Sequence, residues 1–300
     1  MLLPPNQHIR VVKIAPLTQS GASATDPSTD PSADAHDRSA WTLTMTSRDW
    51  RVGADLYKDA PDGSVIRALV MSHDVVLKTT ALTGLKGFIQ PIMGTTRAHR
   101  QWAGTQWLRS VGLHAPRALA IIRGTRDTTR AECLVMEHVP GHTLLWHIAR
   151  GTIAESPDGP GARAIAYAVG RDIARIIKAG RFNRDHKPSN LVVETITPAA
   201  RIAIVDAVAI LPIKATERGD AMGRMLAALM IEPAGVGHPA PEPFLSRVAQ
   251  SLAHEIAGAQ DAETWAKAML ERARTIVKAH GDPKPRHDPL RETPPPTPRI

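Results

Sequence analysis

The sequence predicts an α+β protein built in two parts, strand-rich first and helical afterwards. Three observations carry this expectation. Short β-branched and alternating apolar runs fill residues 41–80, a turn-rich segment crosses at Glu137–Gly141, and apolar stripes of helical period follow it. With 300 residues, 43% of them apolar, the chain can bury a core in one large domain or two lobes.

Taken in order, residues 17–40 are rich in Ser, Thr, Asp, Ala and Pro and hold too few large apolar residues to fold alone, which predicts disorder. Trp41-Thr42-Leu43-Thr44-Met45-Thr46 alternates with period two and predicts a strand. Pro61-Asp62-Gly63 is a turn signal, and the runs Val65–Met71 and Val75–Leu77 after it predict a hairpin. Residues 96–111 predict a helix carrying Trp102, Trp107, Leu108 and Val111, stopped by Gly112. Cys133-Leu134-Val135-Met136 predicts a strand. Ile165, Val169, Ile173, Ile176 and Ile177 line one face of a helix stopped by Gly180, and further helices are expected over about 219–231, 243–257 and 261–279. From Gly281 the prolines predict an extended tail.

Composition narrows the compartment and partners. A lone cysteine, Cys133, excludes a disulfide framework and a multi-cysteine metal site, so a reducing cytoplasm is expected. The first 16 residues interleave Pro4, Pro5, Arg10 and Lys13 with apolar residues, unlike a signal peptide, and no apolar run reaches the length of a membrane span. The net charge of +8 is concentrated. Lys78, Lys86, Arg97, Arg100, Arg109, Arg117, Arg123 and Arg126 lie in a stretch with no Asp or Glu. Such a segment suits an anionic membrane surface or a phosphorylated ligand, including contact at the inner face of the membrane. No aromatic-interleaved or zinc-finger motif accompanies it, which argues against specific nucleic-acid reading.

The chemistry concentrates in Arg184-Asp185-His186-Lys187-Pro188-Ser189-Asn190, which leads directly into Leu191-Val192-Val193. This fits the pattern R-D-x-K-P-x-N of a kinase catalytic loop. An Asp and an Asn at this spacing face a nucleotide's phosphates from one turn: the Asp takes the proton of an attacking hydroxyl, the Asn holds Mg²⁺, and the intervening Lys steadies the transferred group. Asp206 ends the apolar strand Arg201–Val205, where an unpartnered carboxylate is costly and a metal or hydrogen-bond partner is expected. Lys78 follows Asp74-Val75-Val76-Leu77 at a strand end.

On these residues the chain resembles the protein-kinase-like superfamily. Within it, it resembles the bacterial lipopolysaccharide core kinases, which phosphorylate Kdo or heptose sugars. The resemblance covers about residues 60–232. It implies a bilobal protein-kinase-like fold with a small antiparallel-sheet N-lobe (41–136), a hinge (137–141) and a mainly helical C-lobe (142–280), flanked by a mostly disordered start (1–40) and a proline-rich tail (281–300). It further implies that ATP and Mg²⁺ are used. Asp185 and Lys187 take the catalytic roles, Asn190 and Asp206 bind metal, and Lys78 binds phosphates. Backbone groups of Glu137 and Val139 meet the adenine. Asp220, in Arg218-Gly219-Asp220, is expected to brace the catalytic loop, although a helix N-terminus also favours an acid there.

The sequence departs from the pattern in four places. Asn183 replaces the usual His before Arg-Asp, Asp206-Ala207-Val208 keeps only the Asp of Asp-Phe-Gly, and Gly63 is the nearest relic of a glycine-rich loop. The helix acid that normally pairs with the strand lysine is missing, and Gln101 stands in the matching position, able to hydrogen-bond but not to supply charge. Four readings follow: an ATP-dependent kinase of a glycolipid sugar hydroxyl, a Ser/Thr protein kinase, a small-molecule phosphotransferase, and a pseudokinase kept for binding. Ala240-Pro241-Glu242 lies beyond the apolar run Met225–Ile231, with no polar activation segment before it, which weighs against the protein kinase.

Overall fold

A computed structural model describes residues 10–15, 31–47, 52–60, 62–126, 129–197, 199–258, 261–281 and 290. The chain divides into two units, the first formed by residues 1–103 and 116–138 and the second by 104–115 and 139–300.

Unit 1 is organised by a six-stranded antiparallel sheet. Its strands are β1 (Arg10–Ile14), β2 (Asp55–Ala60), β3 (Gly63–Val70), β4 (His73–Leu82), β5 (Ala118–Arg126) and β6 (Thr129–Glu137), in spatial order β1-β5-β6-β4-β3-β2. The expected hairpin is β3–β4, closed by Met71 and Ser72, both in the left-handed region that two-residue hairpin turns require. β4 runs four residues past Lys78, so the lysine sits within the strand rather than at its end.

The start of the chain corrects two expectations. β1, inside the segment expected to be disordered, pairs with β5. Residues 31–46 form helix α1 (Pro31–Thr46), including both part of the expected disorder and the expected strand at 41–46. The alternation misled because it counted Leu43 as inward, whereas Leu43 is 71% exposed. Trp41 and Met45, one helical turn apart, are the buried pair. They pack on Val75, Leu77, Ile122, Cys133 and Val135 on one face of the sheet. Cys133 is sealed there and burial pushes its thiol up to about 12, so it has no thiolate chemistry. Residues 17–30 and the tail beyond Gly281, apart from Leu290, lie outside the described residues.

The other face carries α3 (Arg97–Ser110), whose Ala98 and Trp102 pack on Ala118, Ile121, Leu134 and Met136. Ahead of α3 lies the short helix α2 (Gly84–Ile92). Residues 104–115 belong to unit 2, not to the expected N-terminal lobe, because Leu108, Leu113 and Ala115 join the C-terminal core.

Unit 2 contains β7 (His142–Thr143), α4 (Leu144–Ala149), α5 (Thr152–Glu155), α6 (Pro160–Lys178), β8 (Arg181–Asn183), β9 (Leu191–Thr195), β10 (Arg201–Ile204), β11 (Ile210–Pro212), α7 (Arg218–Gly235), α8 (Glu242–Ala257) and α9 (Ala262–His280). Antiparallel ladders join β10-β9-β7 and β11-β8. The expected stripe on α6 is buried, and it shares one core with Leu226 and Leu229 of α7, Phe244 and Val248 of α8, and Leu270 of α9. Gly112 and Gly180 follow α3 and α6 with φ of 76° and 75°, the left-handed conformation that ends a helix. No helix among the described residues is long and apolar enough to cross a membrane.

Asp172 is the one carboxylate sunk into the α6 core face, and burial there raises its pKa from 3.8 to about 7 against the opposing pull of Arg171 and Arg175. Between those values the folded chain keeps a proton that the unfolded chain has released, so folding stability falls as pH rises from about 4 to about 7. Asp172→Asn therefore raises the thermal midpoint at pH 8, and the gain disappears near pH 4; thermal unfolding of both proteins across that range checks it.

Candidate active site

Within unit 2 the segment 184–190 is shaped by its own hydrogen bonds before any ligand is considered. β8 pairs with β11, and Arg184 N–H donates to Ala209 O at 3.1 Å, which fixes where the chain leaves the strand. Asn183 is fully buried, and its Oδ1 accepts the Asp185 N–H at 3.1 Å. The departure from His thus preserves a support for the loop. Pro188 opens a single 3-10 turn, Pro188–Asn190, with Asn190 N–H bonded to Lys187 O at 2.9 Å. The Asn190 Nδ2 reaches back to Asp185 O at 3.0 Å. This commits the amide nitrogen, so Oδ1 is the atom left to offer a cation.

Two bonds bring the candidate metal ligands into one neighbourhood. β9 and β10 pair, and Val205 N–H donates to Asn190 O at 2.9 Å, so the residue before Asp206 is hydrogen-bonded to Asn190. One Asp206 oxygen, Oδ1, accepts Val208 N–H at 3.2 Å. The donors gathered here are hard oxygens, one amide and one carboxylate. That set suits Mg²⁺, which takes one or two protein ligands and fills its remaining positions with phosphates and water. Gly104 is also part of this arrangement. A Cβ at that position would lie 2.1 Å from the Ala207 carbonyl oxygen, so only glycine lets the middle of α3 approach the chain just after Asp206.

The strongest support of the loop comes from a residue the sequence did not single out. Glu232 of α7 is buried, and its two oxygens accept Ser189 N–H at 2.7 Å and Ser189 Oγ–H at 2.6 Å. Lys187 Nζ lies 3.5 Å from the same carboxylate. The bracing role expected of Asp220 therefore falls to Glu232. Asp220 sits in the first turn of α7 and is held instead by Arg224 at 2.7 Å and Arg272 at 3.3 Å. Removing one partner from a buried, hydrogen-bonded charge of this kind costs roughly 3–5 kcal/mol.

Unit 1 carries the remaining candidates. Lys78 faces Leu134 across the β4–β6 ladder, Val76 faces Met136, and Thr80 faces Glu132. Alternation puts all of these side chains on the sheet face covered by α3. Gln101 is buried on that side, with Nε2 3.7 Å from Met136 Sδ. Glu132 is the buried acid of this face. It accepts from Arg123 Nε at 2.8 Å and from the Thr96 hydroxyl, which also caps α3 by accepting His99 N–H at 3.3 Å. The start of α3 is thereby tied to the sheet through a strand acid. Its signal is the alternation of β6, which puts Glu132 on the same face as Leu134 and Met136. At the end of β6, Glu137 N–H is taken by Arg117 O at 2.9 Å and its side chain by Arg117 Nε at 2.9 Å. Glu137 can then offer adenine its carbonyl alone. The Val139 N–H has no hydrogen bond among the described residues.

His186 follows Asp185 and is fully buried, with neither ring nitrogen hydrogen-bonded. Burial lowers its pKa from 6.5 to about 3. The unfolded chain takes up a proton here that the folded chain refuses, so this site removes stability as pH falls through 6.5. His186→Leu is expected to raise unfolding stability at every pH, by roughly 1–3 kcal/mol from the orphaned nitrogens alone, and by more at pH 5 than at pH 8. Denaturant unfolding at the two pH values checks the sign.

Residues 83–207 match the model of the lipopolysaccharide kinase (Kdo/WaaP) family. A solved structure described as WaaP in complex with acyl carrier protein is 17% identical, with 74% of this chain and 88% of that chain covered and a TM-score of 0.49. No curated protein sequence matches significantly. The matched segment contains the whole of the loop at 184–190 and reaches Asp206, so the similarity to the lipopolysaccharide kinase (Kdo/WaaP) family includes the residues of the candidate site.

Proposed function

We propose that this protein transfers the γ-phosphoryl group of ATP to a sugar hydroxyl of a lipopolysaccharide core-type glycolipid. The observation that carries the reading is the hydrogen-bonded chain Asp185–Asn190–Val205, which sets a candidate base and two oxygen ligands around one turn. The match of residues 83–207 to the lipopolysaccharide kinase (Kdo/WaaP) family model supports the substrate class.

In this reading Asp185 orients the acceptor hydroxyl and takes its proton as the hydroxyl oxygen bonds to the γ-phosphorus. The bond from that phosphorus to the β–γ bridging oxygen breaks, and ADP leaves. Asn190 Oδ1 and the Asp206 carboxylate hold Mg²⁺, which when bound neutralises charge across the phosphate oxygens. Lys187, kept beside Glu232, offsets charge on the transferring group. Lys78 positions the α- and β-phosphates, with buried Gln101 as its neutral counterpart on α3. The Glu137 carbonyl and the Val139 N–H receive the adenine edge. One observation favours the pseudokinase alternative: Gln101 supplies no charge where the pattern has an acid.

Single-turnover transfer from ATP to a lipopolysaccharide core acceptor decides between them. Wild type is expected to transfer phosphate, and Asp185→Asn to be slower by roughly 10²–10⁴-fold while Mg²⁺-dependent ATP stabilisation in a thermal shift persists. Equal rates in the two proteins remove Asp185 from the mechanism. Stabilisation by ATP without any transfer, on any acceptor tried, supports the binding-only reading.

A further inference from the structure

Helix α2 is turned the wrong way for a soluble surface. Its buried residues are Gly87 and Pro91, four apart on one face. A Cβ at Gly87 would lie 2.5 Å from the Leu82 carbonyl carbon and 2.9 Å from its oxygen, so glycine lets the helix press against the end of β4. Arg123 Nη2 donates to Pro91 O at 3.1 Å and fixes the same face from below. At 100° per residue, Leu85, Ile89 and Ile92 then fall opposite the buried pair, with Phe88 on the flank beside them. Leu85, Phe88, Ile89 and Ile92 are 75%, 58%, 47% and 74% exposed, and Met93 just after the helix is 68% exposed. A strongly amphipathic helix thus directs its apolar face outward, whereas surface helices bury that face.

The charged residues that the sequence places on the helix and just after it are cations. Lys86 is on the helix and is exposed, Arg97 and Arg100 follow at the start of α3, and the Arg130 guanidinium lies 5.7 Å from the centroid of the Phe88 ring. The chain has no Asp or Glu between Lys78 and Arg126. Glu132, two residues from Arg130, is buried and committed to Arg123 and Thr96. Outward Leu, Phe and Ile flanked by Lys86 and Arg130 match a helix that lies in the plane of an anionic lipid surface, with the apolar side chains below the headgroups and the cations among them. A stretch of exposed apolar residues on this scale is uncommon on a soluble monomer without a binding role.

We propose that α2, Leu85 to Met93, is a membrane-docking helix that holds unit 1 on anionic lipid. The idea rests on the glycolipid reading for its purpose, since the acceptor is then reached at the membrane. Its physics does not need that reading, because the binding requires neither ATP nor acceptor.

The test is co-sedimentation of the full chain, without nucleotide, with vesicles of phosphatidylcholine alone or mixed with phosphatidylglycerol. Binding should require phosphatidylglycerol and weaken as salt is added. The triple variant Leu85→Ser, Phe88→Ser, Ile92→Ser should bind roughly tenfold or more weakly, with its thermal midpoint unchanged because these side chains are already exposed. Lys86→Glu should weaken binding to a smaller degree. Absence of binding to the mixed vesicles overturns the proposal. So does binding that the triple variant retains, which is charge alone, or equal binding to a soluble acidic protein. Phosphate transfer to a detergent-solubilised acceptor is measured in parallel with both proteins. Loss of transfer with vesicle binding intact counts against the kinase reading only; normal transfer with no vesicle binding counts against the docking helix only.

Discussion

The Glu232 carboxylate is the constraint on which the geometry of the candidate site rests. It is buried in unit 2, and a buried carboxylate is tolerable only when its oxygens are well satisfied. Ser189 satisfies both, through its backbone N–H and its hydroxyl, and Lys187 adds charge at 3.5 Å. The need of the acid for donors and the need of the loop for an anchor are met by the same contacts. Once Ser189 is held, the 3-10 turn is held. Asn190 then reaches Asp185 O and receives Val205 N–H, which brings the end of β10 and Asp206 to it. A helix-borne acid in the core of the C-terminal unit therefore sets the positions of the candidate base and the two candidate metal ligands.

Unit 1 solves a related problem with different residues. The pattern it resembles ties the helix to the sheet by a lysine–acid pair, and here the helix offers Gln101 instead. The start of α3 is tied through Thr96 to Glu132, an acid on the strand, which Arg123 neutralises. Glu132 and Thr96 thereby place the helix on the sheet face that Lys78 also occupies.

The extent to which the sequence disclosed this differs by residue, for physical reasons. The loop at 184–190 was legible because its chemistry is local: proton acceptor, lysine and amide must share one turn, and that fixes their spacing. The helices after residue 160 were legible because a stripe of Ile and Val at helical period has one stable placement. Helix α1 was not, since Trp41, Leu43 and Met45 satisfy period two on paper while Trp41 and Met45 satisfy period four in the core. Glu232 was hidden by distance: it lies 43 residues from Ser189, and nothing in α7 distinguishes an acid facing the loop from one facing water. Asp220 drew the bracing role because it sits near a recognisable signature, yet the first turn of a helix beside Arg272 is a sufficient reason for an acid there. The outward face of α2 was half visible. Its cations stood out in the charge count, but which way Leu85 and Phe88 point depends on Gly87 and Pro91 seating the other side.

That one carboxylate holds the loop at 184–190 is tested most directly by a double-mutant cycle between Ser189→Ala and Glu232→Gln, read as unfolding free energy at pH 7. The account predicts that the two substitutions are strongly non-additive, with a coupling of about 1 kcal/mol or more, because each removes the partner of the other. Additive losses, with a coupling indistinguishable from zero, would contradict it.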